Sequence, residues 1–264
     1  MLSPMIEETT IPAIPDAALC ETRVISADGT ECAKDDSLAI EHVLYVYVDG
    51  ALAMRVVCSP SYARELIVGR LFTEGIIDSA ADIARLELND DLTEARVGLA
   101  ASPQLEGTAT PFVPTTGAGN KVLLSGRDRI VDPGPLESIE WKPEWIISLA
   151  KQFKTDSPMH QKTVGVHSCY LALADKVVYR CEDMGRHNAF DKVIGCALLD
   201  GFDLTRAIAF TSGRVPIDMV TKALRARIPV LVTKAVPTVS SLELAREHNL
   251  TLITSAHPDS FKLW

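Results

Sequence analysis

The sequence predicts an α/β protein: a layered α/β domain in the second half, preceded by a smaller N-terminal α+β lobe. Three observations carry this. From residue 206 onward, strand-like runs (206–210, 229–233, 250–254) alternate with helical repeats (217–227, 241–248), the pattern of a layered, largely parallel sheet. The first half instead shows a hairpin signal, Asp49-Gly50 between two β-rich runs. Composition is that of an ordinary globular chain: 264 residues, 47% hydrophobic and 23% charged. The units read as an N-terminal extension (1–38), a lobe over 39–135 with a flexible loop at 107–121, and a ligand-binding α/β domain over 136–264.

In chain order, residues 1–38 form a polar, proline-containing lead-in, partly extended. Residues 43–57 make the hairpin. Ser59-Pro60 opens a helix over 61–72, with Ser59 as cap and Pro60 at its first position, and Gly75 stops it. Strands follow at 83–88 and 94–100. A connector rich in Pro, Gly, Thr and Ser (101–135) leads to a tryptophan-bearing helix at 143–153. A second hairpin (164–173, 176–181) runs into the polar turn 182–188, a helix over 188–199, and then the alternating series.

The net charge of −9 argues against nucleic-acid binding, which needs a basic surface. Residues 1–18 lack the pattern of a secretory signal, and no apolar run reaches membrane length, so a cytoplasmic location without a membrane is expected. Six scattered cysteines, none in a Cys-x-x-Cys pair, are expected to be reduced thiols.

The densest functional stretch is Glu182-Asp183-Met184-Gly185-Arg186-His187-Asn188-Ala189-Phe190-Asp191-Lys192. A strand that ends in a polar turn and opens a helix presents N–H groups to an anion. The same residues also read as a helix cap, with Asn188 or Asp183 in that role. In a parallel sheet, loops 182–188, 211–214 and 234–240 line one crevice. Together they bring Arg186, Ser212, Arg214, Lys234 and Thr238 to one side, a set suited to a phosphate-bearing ligand.

Some chemistries fail on residue type. A deaminase zinc site needs His-x-Glu and Pro-Cys-x-x-Cys, and neither occurs. A Gly-x-Ser-x-Gly nucleophile elbow is absent too. His167 and Cys169 share a strand face at i, i+2, a spacing that allows a thiol–base pair without guaranteeing contact, and a buried structural cysteine is the leading reading of Cys169.

Asp49-Gly50 through Glu65-Leu66-Ile67-Val68-Gly69-Arg70-Leu71-Phe72-Thr73-Glu74-Gly75-Ile76-Ile77, the 182–192 motif, Ser212-Gly213-Arg214, the Lys222 helix, Pro237-Thr238 and Leu250-Thr251-Leu252 resemble, in order, the FdhD/NarQ family. The resemblance covers roughly residues 40–264. It implies a cytidine-deaminase-like α/β fold and a homodimer in the cytoplasm. It further implies that sulfur from a cysteine desulfurase passes to the molybdenum (or tungsten) bis-guanine-dinucleotide cofactor before insertion into formate dehydrogenase. No intrinsic metal is implied. The cofactor-binding positions carried over are His167, Glu182, Asp183, Gly185, Arg186, His187, Asn188, Lys192, Ser212, Gly213, Arg214, Lys222, Pro237, Thr238, His257, Ser260 and Phe261.

Departures from the family pattern are specific. The sulfur-bearing loop matches 115–121, where Ala118 stands at the position of the family's cysteine persulfide; a methyl group cannot hold sulfur. That leaves an inactivated or engineered form, a chain that binds the cofactor without transferring sulfur, or one in which Cys169 has taken the role. Val164 replaces a glycine in the 163–167 histidine motif, and His257 and Ser260 stand where many relatives carry arginines. The leading expectation is therefore sulfur transfer in formate dehydrogenase maturation. The alternative is a non-catalytic module that holds the cofactor, and a degenerate nucleotide deaminase is a third reading.

Overall fold

The computed structural model describes residues 14–101, 121–122 and 134–264. It is a mixed α/β structure with three sheets and six α-helices among the described residues. The lead-in is more structured than the sequence suggests: β1 (Ala17–Ile25) and β2 (Glu31–Ala39) form an antiparallel hairpin. Ser26 and Thr30 close its turn, in which Gly29 takes φ +83°.

β3 (His42–Val48) and β4 (Ala51–Cys58) are the expected hairpin. Asp49 and Gly50 both adopt positive φ, 48° and 83°, so the turn matches the right-handed twist of the strands. The hairpin is the middle of a five-stranded sheet, order β5-β6-β3-β4-β7, with β5 at Ile83–Leu88, β6 at Glu94–Leu99 and β7 at Lys121–Val122. α1 (Ala63–Thr73) follows β4 and ends where Gly75, at φ +75°, lets the Gly75 and Ile76 N–H groups close back on Phe72 and Leu71. The expected start of this helix is corrected. Tyr62, in the left-handed region, precedes Ala63, and Ser59 does not cap the helix. Ser59 N–H donates to Asp183 and its carbonyl accepts from Lys192, so that dipeptide is committed to the other half of the chain.

The second half carries a six-stranded sheet, order β13-β12-β11-β10-β8-β9. Its members are β8 (His167–Leu173), β9 (Lys176–Asp183), β10 (Ile208–Thr211), β11 (Val230–Thr233), β12 (Thr251–Thr254) and β13 (Lys262–Leu263). Only β10, β11 and β12 pair in parallel; β8 joins β10 antiparallel, as β9 joins β8 and β13 joins β12. The expectation of a largely parallel sheet is thereby corrected: the 167–183 hairpin inserts beside β10 with two antiparallel pairings, and β13 adds a third at the other edge.

Strand alternation sorts side chains into two layers. Tyr170, Ala172, Ile208, Phe210, Val230, Val232 and Ile253 pack with Ile146, Leu149 and Phe153 of α2 (Pro143–Thr155). Cys169, Leu171, Ala209, Leu231 and Leu252 face the larger core, shared with α4 (Arg186–Leu199), α5 (Ile217–Arg225) and α6 (Val239–Glu247). That core is continuous with the first half, because it also contains Leu44, Val46, Leu66 and Leu71. A short helix, α3 (Pro158–Thr163), lies between α2 and β8.

The seam between halves is the crossing of α1 with α4. A Cβ on Gly69 would lie 1.8 Å from the Asp191 carbonyl oxygen, and one on Gly195 1.8 Å from that of Glu65. Only glycine permits backbones this close.

Candidate functional site

β9, β10 and β11 all run in one direction, so the loops after them emerge on the same edge of the sheet, beside the start of β8. The loops are knit to one another. Lys234 N–H donates to the Thr211 carbonyl (3.2 Å), Thr233 Oγ1 to the Gly213 carbonyl (2.6 Å), and Val215 bridges to Pro237. A Cβ on Gly213 would come within 2.6 Å of the Arg186 Cβ, so the second glycine-bearing loop lies directly on the 182–188 turn.

A cleft of about 550 Å³ opens here, lined by residues that include Phe153, Lys154, His160, Gly165, His167, Ser212 and Lys234. The volume is in the usual range for small-molecule sites. At its floor, Ser212 Oγ accepts from Ser168 N–H (3.1 Å) and lies 3.0 Å from His167 Nδ1. A hydroxyl that already accepts from an amide is suited to donate to the ring, which leaves the proton on Nε2. Burial first, then Arg186 and His160, hold His167 below the ordinary histidine value, against an opposing pull from Asp183. Lys234 lies over the Phe153 ring at 5.8 Å.

Glu182 positions one wall. Its carboxylate accepts from the Met159 and His160 N–H groups, both at 2.9 Å, and from Ser168 Oγ at 3.2 Å. α3 is thereby anchored by a residue more than twenty positions away, and the sequence pattern alone does not reveal it. His160, Lys154 and Phe153, which sequence reasoning missed, reach the cleft because α2 and α3 fold over the β8 end.

The remaining expected site residues divide. Arg186 is half-buried and Arg214 exposed. Burial lowers Arg186, with Arg214 adding to that and Asp218 opposing it, so the two arginines are close enough to interact. His187 Nε2 lies 3.4 Å from Asp218 Oδ2, both buried. Thr238 caps α6: its hydroxyl accepts from Ser241 N–H, and Ser241 Oγ accepts from Thr238 N–H. Past β12, the His257 N–H closes a turn onto the Ser260 carbonyl, and Phe261 packs edge-on to Trp141 at 6.3 Å.

Asp183, Asn188, Lys192 and Lys222 lie inside the protein. The Asp183 carboxylate, fully buried, pairs with Lys192 at 2.7 Å and accepts from the N–H groups of Ser59 and Gly185 and from Asn188 Nδ2. Asn188 Nδ2 also donates to the Val57 carbonyl. The helix starts at Arg186 after Gly185, with no side-chain cap, so neither Asn188 nor Asp183 caps it. One turn on, Asp191 binds Lys222 (2.6 Å), Arg70 (3.2 Å) and Thr73 (2.8 Å), and Arg70 pairs with Glu74 at 3.0 Å. Burial works against the Lys192 charge, but Asp183 holds it above the ordinary lysine value. Lys222 goes the other way, to about 8, because burial and Arg70 outweigh Asp191 and Glu74.

Cys169 is fully buried, and burial pushes its thiol well up, the opposite of a reactive thiolate. Ala118 lies outside the described residues. No helix among the described residues is long and apolar enough to cross a membrane.

Fold and site together define a mixed α/β protein with a basic cleft at the loop ends of its main sheet. The chain belongs to the FdhD/NarQ family, whose profile matches residues 39–264. It is 28% identical over 240 residues to the sulfur carrier protein FdhD of Bacillus pumilus (strain SAFR-032), covering 90% of this chain and 91% of that protein. It is 29% identical over 233 residues to that of Geobacillus kaustophilus (strain HTA426), covering 88% and 89%. Among solved structures, a protein assigned as a formate dehydrogenase accessory protein from Desulfotalea psychrophila shares the fold. The TM-score is 0.76 at 24% identity, over 95% of this chain and 97% of that one.

Proposed function

We propose that this chain is an accessory protein in the maturation of formate dehydrogenase. Its cleft holds the phosphate-bearing end of the molybdenum (or tungsten) bis-guanine-dinucleotide cofactor as cargo. The observation that carries the reading is the local charge: on a chain of net charge −9, Lys154 and Lys234 converge on one cleft beside Arg186 and Arg214, with the imidazole rings of His160 and His167 as added hydrogen-bonding groups. Such a cluster concentrates anions against the overall field, and the Ser212 hydroxyl adds a neutral partner. Asp183, Asn188, Lys192 and Lys222 support the wall from inside. Family membership supports a cytoplasmic homodimer that works with formate dehydrogenase. The two helical layers on the main sheet are compatible with a cytidine-deaminase-like arrangement. Calorimetry with GDP as the cofactor fragment tests the binding: saturable binding, weakened in Arg186→Ala, is expected. A titration without heat, or an Arg186→Ala chain that binds equally, would count against it.

A second reading is favoured by the sulfur-carrier names of the relatives: the chain also relays sulfur from a cysteine desulfurase to that cofactor. Ala118 offers no sulfur atom and Cys169 is sealed in the core. Incubation with a desulfurase and labelled cysteine, read by mass spectrometry, decides it. Persulfide on any cysteine supports transfer; its absence, with loading gained in Ala118→Cys, restricts the chain to holding the cofactor.

A further inference from the structure

Cys181 on β9 and Cys196 on α4 are free thiols whose Sγ atoms lie 3.8 Å apart. Cys181 is buried and Cys196 half-buried. Both thiols act electrostatically on Tyr62, which is itself 50% exposed, so the pair lies close to the surface. Cys169 faces Cys181 across the β8–β9 register, but its sulfur is engaged with the Tyr170 carbonyl at 3.9 Å. The 181–196 segment encloses the whole Glu182–Lys192 motif.

We propose that Cys181 and Cys196 form a thiol-modification site that low-molecular-weight disulfides convert into an intramolecular disulfide tying β9 to α4. The Cys196 thiolate attacks one sulfur of the oxidant RSSR, forming a Cys196–S–S–R bond and releasing the first thiol. The Cys181 sulfur then attacks the Cys196 sulfur and expels the second. In sum, two protein thiols and RSSR give one protein disulfide and two RSH. The cysteines lose two electrons and two protons, and the small disulfide takes up both. The sulfurs must approach from 3.8 Å to about 2.05 Å, across a strand and helix that already pack together. Cys196 is half-buried and Cys181 buried, so the small disulfide meets Cys196 first and the mixed disulfide forms there.

The test uses the full chain, reduced, freed of reductant and incubated with oxidised glutathione. It is then alkylated under denaturing conditions and mapped by mass spectrometry. The expected product joins the Cys181 and Cys196 peptides with the loss of two hydrogens. Closing a loop of this size raises Tm by roughly 5 °C, and dithiothreitol reverses the rise. Cys181→Ser is expected to stop at the glutathione adduct on Cys196, with no gain in Tm. Both thiols recovered alkylated, an adduct in the unsubstituted chain that never closes, or a Cys169–Cys181 bond would each overturn the proposal. Because the mapping is done on the unsubstituted chain, the outcome does not depend on how the variant folds.

Discussion

At the α1–α4 seam, Arg70, Glu74, Asp191 and Lys222 pair with one another almost completely out of water, and Asp183 and Lys192 form a second buried pair beside them. At the edge of the main sheet, Lys154, Arg214 and Lys234 stand in solvent around a cleft floored by His167 and Ser212. Both regions draw on the same eleven-residue motif, whose first residues shape the cleft wall and whose Asp191 and Lys192 lie in the interior. A dense run of charge in a sequence is thus not one site. Glu182, Met184, Gly185 and Arg186 reach toward the surface because they occupy the turn and the start of the helix, whereas Asp183, His187 and Asn188 already turn inward. One turn further along α4, the helix faces α1, and a charge there survives only with a partner.

Removing one partner from the interior should have the largest effect. Lys192→Met leaves the Asp183 carboxylate, fully buried, without its cation. Uncompensated buried charges cost about 3–5 kcal/mol, a Tm loss of roughly 5–9 °C for a chain of this size, measurable by thermal or urea denaturation. If the loss stays within about 1 kcal/mol, the interior network is not what holds the two halves together.

Lys222 sharpens the contrast through pH. Its folded value, about 8, lies below the ordinary 10.5. Above pH 8 the unfolded chain binds more protons at this lysine than the folded one, so its contribution to stability rises with pH across the window from about 8 to 10.5. Below pH 8 the penalty for burying the charge is present in full. The buried Cys58 thiol, held up at about 12, acts oppositely above pH 9, so the unsubstituted profile alone is ambiguous. The gap between the unsubstituted chain and Lys222→Met isolates the lysine. At pH 7 the variant is expected to lose roughly 1–3 kcal/mol, and the gap should widen between pH 8 and 10. A gap independent of pH would show that Lys222 keeps its ordinary value.

How much of this was legible depended on distance along the chain. Asp49-Gly50 announced the hairpin and Gly75 the helix end, because both act through their own φ angles. The loop set at 182–188, 211–214 and 234–240 followed from strand–helix alternation, which is also local. Ser59-Pro60 misled because its N–H and carbonyl are claimed by Asp183 and Lys192, more than 120 positions away. The short helix that brings His160 to the cleft is held by Glu182, again through a tertiary contact. Residue types pointed to a cluster of cations at the loop ends, but they did not separate Lys192, which is interior, from Lys234, which is not. That separation comes from the glycine-mediated approach of α1 to α4.

The smallest effect on stability, and the most informative for the cleft, is expected from His167→Ala. The ring is half-buried and its hydrogen-bond partner, Ser212, keeps the Ser168 N–H, so stability should change by no more than about 1 kcal/mol. GDP affinity is expected to fall about tenfold, the equivalent of one ordinary hydrogen bond. The ring should also report the charge of the ligand. Burial, Arg186 and His160 keep it neutral in the free protein. A phosphate bound beside it offsets the Arg186 charge and favours the imidazolium. Binding at pH 7 should therefore take up protons, visible as a dependence of the calorimetric heat on the buffer's ionisation enthalpy. In His167→Ala that dependence should drop to the level set by GDP alone. If the uptake persists unchanged in the variant, His167 is not the group that meets the phosphate, and the anion lies toward Arg186 and Arg214 instead.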